Sequence, residues 1–260
     1  SQAEYMKDMF SVDLLKGHFE NYLIIFKNFK IGQYLFNTLL VTVLKLVFTM
    51  PLAIFASYAF AKLRFRGKNA MYPLIISAMF IPFQVIMIPL YLEEFNLKIL
   101  NTYLGLMIPV YTMLTKLHMI DTYRGLILVT GTIGIPSSIM LLSSSFRSIP
   151  NELLEAAAID GCGYFRKIFH IMIPMGKPAI AICTIMGFIS SWNDLLPPMV
   201  IIKSVNKRLV MPALDGLVSM YNADTPFQLT GILIAAVPAI AIYLILSKQI
   251  IMGISAGSTK

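Results

Sequence analysis

Few residues in this chain of 260 are of a type and spacing that could make or break bonds. His18, His118 and His170 lie far apart, and none has a cysteine or acid beside it at metal-ligand spacing. Gly67-Lys68 and Gly176-Lys177 lack the flanking glycines that cradle a phosphate, and there is no nucleophile elbow or carboxylate pair. Cys162 and Cys183 make no disulfide framework. The chain therefore reads as a non-enzyme that binds no metal or cofactor of its own. What remains is the chemistry of recognition. Lys45 stands about ten residues into an apolar stretch, and a charge at that depth is by default a functional-site hypothesis; snorkelling or facing a partner subunit competes with it. Asn37, Gln84 and Asn193 offer amides that suit a sugar hydroxyl or, more commonly, a neighbouring helix. Trp192 has two roles open, a stacking plate for a sugar ring or an interfacial anchor, and Asp194 reads as solvated near a span end.

The elements that must hold these residues are membrane helices. Hydrophobic types make up 57% of the chain and charged types 13%, whereas a soluble domain carries about 25% charge. The surface must face lipid. Five stretches approach the roughly 20 apolar residues that a spanning helix needs: 35–61, 70–92, 125–146, 178–202 and 229–253. Kinks are expected at Pro51, Pro82, Pro136 and Pro238. Residues 1–34 form a separate N-terminal, external segment with no cleavable secretory leader, and 35–260 form the membrane domain. The net charge of +8 reads as loop charge beside anionic lipid, with no call for nucleic acid.

Lys62, Arg64, Arg66 and Lys68 crowd the loop between the first two stretches without an acid, which predicts that loop to be cytoplasmic. Alternation then puts 93–124 outside, 147–177 inside, 203–228 outside and the C-terminus inside. Residues 103–115 form a sixth apolar run too short to span comfortably. It belongs to a repeat in which 87–106 and 107–126 agree at nine of twenty positions, read as a duplicated loop outside the membrane.

The loop 147–177 is the most informative stretch. Ser148 can cap a helix, Pro150 suits a first turn, and Glu152 and Glu155 favour its positive start. Leu153, Leu154, Ala157 and Ala158 make a small apolar face, and Gly161 and Gly163 can end the helix left-handed. A second helix follows from 164 to 173, with Pro174 marking the return into the bilayer. On this physics alone the elbow can be an amphipathic connector resting on headgroups.

Its residues go further. Glu155-Ala156-Ala157, three residues, Gly161, nine residues, then Ile171-Met172-Ile173-Pro174 resembles the EAA signature of ABC-importer permeases, with Ile173 where the signature has leucine. Asn37-Thr38-Leu39-Leu40-Val41, Phe146-Arg147-Ser148-Ile149-Pro150, Ser191-Trp192-Asn193-Asp194 and the tail Gly253–Gly257 resemble the smaller, six-span permease of the maltose branch, over roughly residues 18–259. The resemblance implies an all-α polytopic bundle of the type I importer kind, here with five full spans and a short external apolar segment. It implies that Glu155, Ala156, Ala157, Asp160, Gly161, Ile171 and Pro174 couple to a cytoplasmic ATPase. Glu155 would pair with a basic or polar group there, small Ala156 and Ala157 would allow close approach, and Gly161 would allow the turn. Lys45, Gln84 and Asn193 would lie on a translocation path. The partners implied are a second permease, two ATPase subunits that bring ATP, an external solute-binding protein and the bacterial inner-membrane bilayer. The implied cargo is a sugar, with glycerol phosphate or a polyamine as the alternative solute and an ion-coupled secondary transporter as the alternative mechanism. The chain departs from the pattern in lacking an apolar stretch for a further first span and in carrying the repeat where the family has a short loop.

Overall fold

The computed structural model describes residues 20–80, 113–220 and 225–257, and every regular element among them is helical. Helix α1 covers Glu20–Asn28, α2 covers Ile31–Lys62 and α3 covers Lys68–Ser77. Helix α4 covers Tyr123–Arg147, α5 covers Asn151–Ile159, and α6 covers Tyr164–Met175 with a π turn at Ile168–Met172. Helix α7 covers Lys177–Trp192, α8 Leu196–Ile201, α9 Val210–Met220 and α10 Thr225–Gly257.

Three described helices are long and apolar enough to cross a membrane: α2, α4 and the Gln228–Ile245 part of α10. At 1.5 Å per residue the 32 residues of α2 reach about 48 Å, well beyond a hydrocarbon core of about 30 Å. Pro51, Pro136 and Pro238 all lie inside continuous helices. The fourth expected span differs. Helix α7 has 16 residues, about 24 Å, and meets α6 at an 80° bend. The pair counts as a fourth span only if taken together. The chain unwinds at Asn193 because Asn and Asp propagate a helix poorly and Pro197-Pro198 restart one. The later part of the second expected span, Gln84, Pro82 and most of the repeat lie outside the described residues.

Helices α2 and α4 run side by side in the same direction, with α7 against both and α10 against α7. Two ends of the bundle follow. At one, Lys62 Nζ donates to the carbonyls of Arg147 and Ile149 and to Asn151 Oδ1, binding the end of α2 to the start of the elbow. At the far end, Gln33 and Asn37 donate to the carbonyl of Asn206, and Asn37 also to that of Arg208. Thr38 Oγ1 accepts from Val210 N at 2.8 Å while donating to Tyr34 O. Backbone ends that lipid would leave unpaired are thus satisfied by side chains. Ile25, Phe188, Trp192, Val210 and Ala235 form one core cluster, which seats α1 on the bundle. Val47 on α2 and Val237, Leu244 and Ile245 on α10 are exposed, an outer face suited to lipid.

The far end is also clamped by Asp121. Its carboxylate accepts from Ser204 Oγ, from the backbone N–H groups of Ser204 and Lys203, and from Lys207 Nζ at 2.9 Å. Ser204 above all, then Lys207 and Lys203, hold the carboxyl well below the ordinary carboxylate range. A carboxylate depressed on folding stabilises at pH above its unfolded value of about 3.9 and loses that contribution as pH falls below it. Hydrogen exchange of 201–208 should therefore be constant from neutral pH to about pH 5 after correction for intrinsic rates, and should quicken below about pH 4. Asp121→Asn should exchange faster at neutral pH and show no such step; a step that survives this change would remove Asp121 as its cause.

Candidate functional site

Two places gather groups able to act on something outside the chain: the elbow between α4 and α7, and a cavity among α2, α4 and α7. The elbow is built locally. Ser148 Oγ donates to Ser145 O, and Pro150, not Ser148, occupies the position ahead of α5. At the other end of α5, Cys162 N donates to Ala157 O and Gly161 N to Ala158 O. These two bonds form a Schellman turn, and Gly161 supplies the left-handed residue it needs, at φ +77°. Gly163 is extended and contributes no left-handed turn.

The inward face of α5 is narrower than its sequence pattern. Leu154 is buried against Tyr58, Phe146, Ile168 and Met172, and Ala157 is buried too, whereas Leu153 and Ala158 are exposed. Ala157 therefore packs on its own bundle. Glu155, Ala156 and Asp160 are exposed, and Ile159 is 88% exposed. Beyond the turn, Tyr164 and Phe165 are 66% and 70% exposed, and Phe165 and Phe169 stand edge-on to Phe55 at 5.9 and 6.2 Å. Ile171 packs on the cluster beneath α5, and Pro174 is exposed. The helix turns back toward the bundle at Gly176, two residues after Pro174. Ile159, at a helix end beside Asp160, is left almost wholly uncovered by this chain. The exposure of Ile159, Tyr164 and Phe165 was not legible in the sequence, because an isolated isoleucine or aromatic in a helical pattern is more often inward.

The cavity measures about 440 Å³. Lys45, 7% exposed, reaches across it to Asp194, with Nζ 3.3 Å from Oδ2. Thr42 Oγ1 donates to Ser191 Oγ at 3.3 Å, a second polar tie between α2 and α7. Asp194 is thus the counter-ion of Lys45 and is not simply solvated at a span end. It can reach Lys45 because the chain leaves helical geometry just after Trp192. Asn193, by contrast, is exposed and lies off the cavity wall. Asn37 is buried at the far end and spends its amide on two backbone carbonyls. Trp192 is 1% exposed, stacks on Phe188 with centroids 5.4 Å apart, and donates from Nε1 to Ala235 O. That burial removes both roles read from its sequence, sugar plate and interfacial anchor.

Residues 49–254 match the family described as binding-protein-dependent transport system inner membrane component. The chain is similar to the diacetylchitobiose uptake system permease protein NgcG of Streptomyces coelicolor, 28% identical over 99% of this chain and 79% of that protein. It is similar to the arabinooligosaccharides transport system permease protein AraQ of Bacillus subtilis, 28% identical over 93% of this chain and 79% of that one. Among solved structures, a chain of a bacterial ABC transporter involved in import of the acidic polysaccharide alginate superposes with a TM-score of 0.64. It is 24% identical, with 89% of this chain and 79% of that one covered. At that identity the likeness establishes a shared fold.

Proposed function

Because this chain belongs to the family of binding-protein-dependent transport system inner membrane components, we propose that it is the permease subunit of an ATP-binding-cassette importer that moves a sugar, as a mono- or oligosaccharide, into the cell. The observation that carries this reading is the elbow: a short helix seated on the bundle through Leu154 and Ala157, with Glu155, Ala156 and Ile159 turned outward. Two ATPase subunits, which bind the ATP, receive this surface. Glu155 and Asp160 meet basic or polar groups on the ATPase, Ala156 allows its close approach, and Gly161 keeps the turn. Ile171 and Pro174 brace the helix that returns to the bundle, so closure of the ATPase dimer against α5 is passed to α7. Such a push moves a rigid element between two packed states.

The basic residues Arg64, Arg66 and Lys68 follow Lys62 at the elbow end, which supports a cytoplasmic elbow and C-terminus. A second permease completes the path, and an external solute-binding protein meets the far end. Sugar as cargo is supported by the relatives named for diacetylchitobiose and arabinooligosaccharides. The test is uptake by proteoliposomes holding the whole complex, with binding protein and radiolabelled N,N′-diacetylchitobiose or arabinotriose outside. ATP inside should drive accumulation, and its omission should stop it. Uptake without ATP that collapses with an ionophore would overturn the ATP-driven reading. Accumulation of glycerol 3-phosphate or spermidine, with neither sugar taken up, would change the solute class.

A further inference from the structure

We propose that this chain itself holds a binding site for a neutral, hydroxyl-rich solute, in the cavity among α2, α4 and α7, with Lys45 and Asp194 as its charged recognition pair. This rests on the importer reading above and adds to it where the solute is held. The cavity, about 440 Å³, falls within the ~300–1,000 Å³ usual for small-molecule sites. Its wall carries both kinds of hydrogen-bonding group a sugar hydroxyl needs. Lys45 has three N–H donors, and Asp194 accepts one of them. Ser137, Ser138 and Thr130 line the cavity; Ser137 and Ser138 give their protons to Gly134 O and Thr130 gives its proton to Leu126 O, which leaves their oxygens able to act only as acceptors.

The pair makes the wall neutral overall while keeping each sign present. A phosphate would meet Asp194 and a polyamine would meet Lys45, whereas a sugar can donate to one and accept from the other. A buried ion pair is weak evidence for stability, because desolvation offsets its attraction. A purpose in recognition accounts better for retaining it inside a membrane segment. Gly134 supplies an independent observation. Glycine is disfavoured in a helix interior, and a Cβ built at 134 meets nothing within 4 Å, so no neighbour in this chain demands its smallness. It lies on the cavity wall, where a larger side chain would take up solute space.

Proteoliposomes of the whole complex with N,N′-diacetylchitobiose and arabinotriose provide the test. Gly134→Leu should raise the KM for uptake at least tenfold. Gly32→Leu, at an exposed glycine of α2 with open space around it, should leave KM unchanged. Lys45→Met combined with Asp194→Asn, which removes both charges together, should also raise KM tenfold or more. Where a variant fails to fold, a Ser137→Cys chain with Cys162 and Cys183 changed to serine keeps the proposal open to refutation. Its modification by a charged methanethiosulfonate should slow at least fivefold in saturating sugar. An unchanged KM in Gly134→Leu, or a thiol in the Ser137→Cys chain equally reactive with and without sugar, would overturn the proposal. So would loss of the second permease from the Gly134→Leu complex, which would make this wall a subunit interface. If the unaltered complex takes up neither sugar, the importer reading for sugars fails first, and that result is distinct from wild-type uptake with an indifferent cavity.

Discussion

Ile159→Lys should leave the bundle folded and reduce ATP-driven uptake to background. Ile159 is 88% exposed, so the chain by itself loses almost no packing when it is replaced, and exposed substitutions usually change stability by no more than about 0.5 kcal/mol. Lysine suits the local structure better than an acid would. It falls in the last turn of α5, where a cation meets the negative end of the helix, and four residues after Glu155. Any loss must therefore come from what α5 touches outside the chain. An anchor seated in a partner's cleft typically contributes about 2 kcal/mol or more, and about 1.4 kcal/mol is tenfold in affinity. ATPase should no longer co-purify with the variant, or should bind at least thirtyfold more weakly, while detergent-solubilised thermal unfolding matches wild type. Wild-type uptake by Ile159→Lys would mean that this end of α5 docks nothing.

Gly176→Ala should be the most damaging single-methyl addition in the elbow. A Cβ there would lie 2.5 Å from Phe146 Cε1 and 2.8 Å from Met172 O. Neither can yield easily: Phe146 is fully buried, and Met172 O accepts the Gly176 N–H at 2.8 Å. Overpacking of this kind costs about 1–3 kcal/mol, and here both contacts must be relieved at the 80° bend between α6 and α7. The expected result is a clearly lower Tm in detergent together with impaired coupling, because opening the bend moves α5 relative to α7. Phe146→Leu should reduce the penalty in a double-mutant cycle, since it removes the ring that the methyl strikes. Additive effects of the two changes would place the strain elsewhere.

Lipid-facing composition, the stretches behind α2, α4 and α10, and the elbow were legible because they depend on composition and near-neighbour rules. Gly161 was readable as the left-handed stop for the same reason: it sits in a turn closed by bonds spanning only three and five residues, Gly161 to Ala158 and Cys162 to Ala157. The signature from Glu155 to Pro174 spans the elbow, so the elbow could be located without a structure. Which of its side chains face outward was only partly legible. Ala156 and Ala157 look alike in the sequence, yet one is exposed and the other is buried. Helical periodicity gives the angle between two residues but not the direction of the neighbour.

By itself, then, the amino-acid order determined a lipid-embedded helical chain with a polar elbow and a lysine in mid-helix, because hydropathy and helical turns act over a few residues. Only the tertiary structure decided what that lysine meets. Lys45 and Asp194 are 149 positions apart, and they come together because α7 packs on α2 and unwinds one residue short of Asp194. The same packing buried Trp192 against Phe188 and Ala235, and left a space at Gly134 that no local rule foretells. Contacts of that range arise from the fit of one helix surface on another, and no window along the chain contains both surfaces.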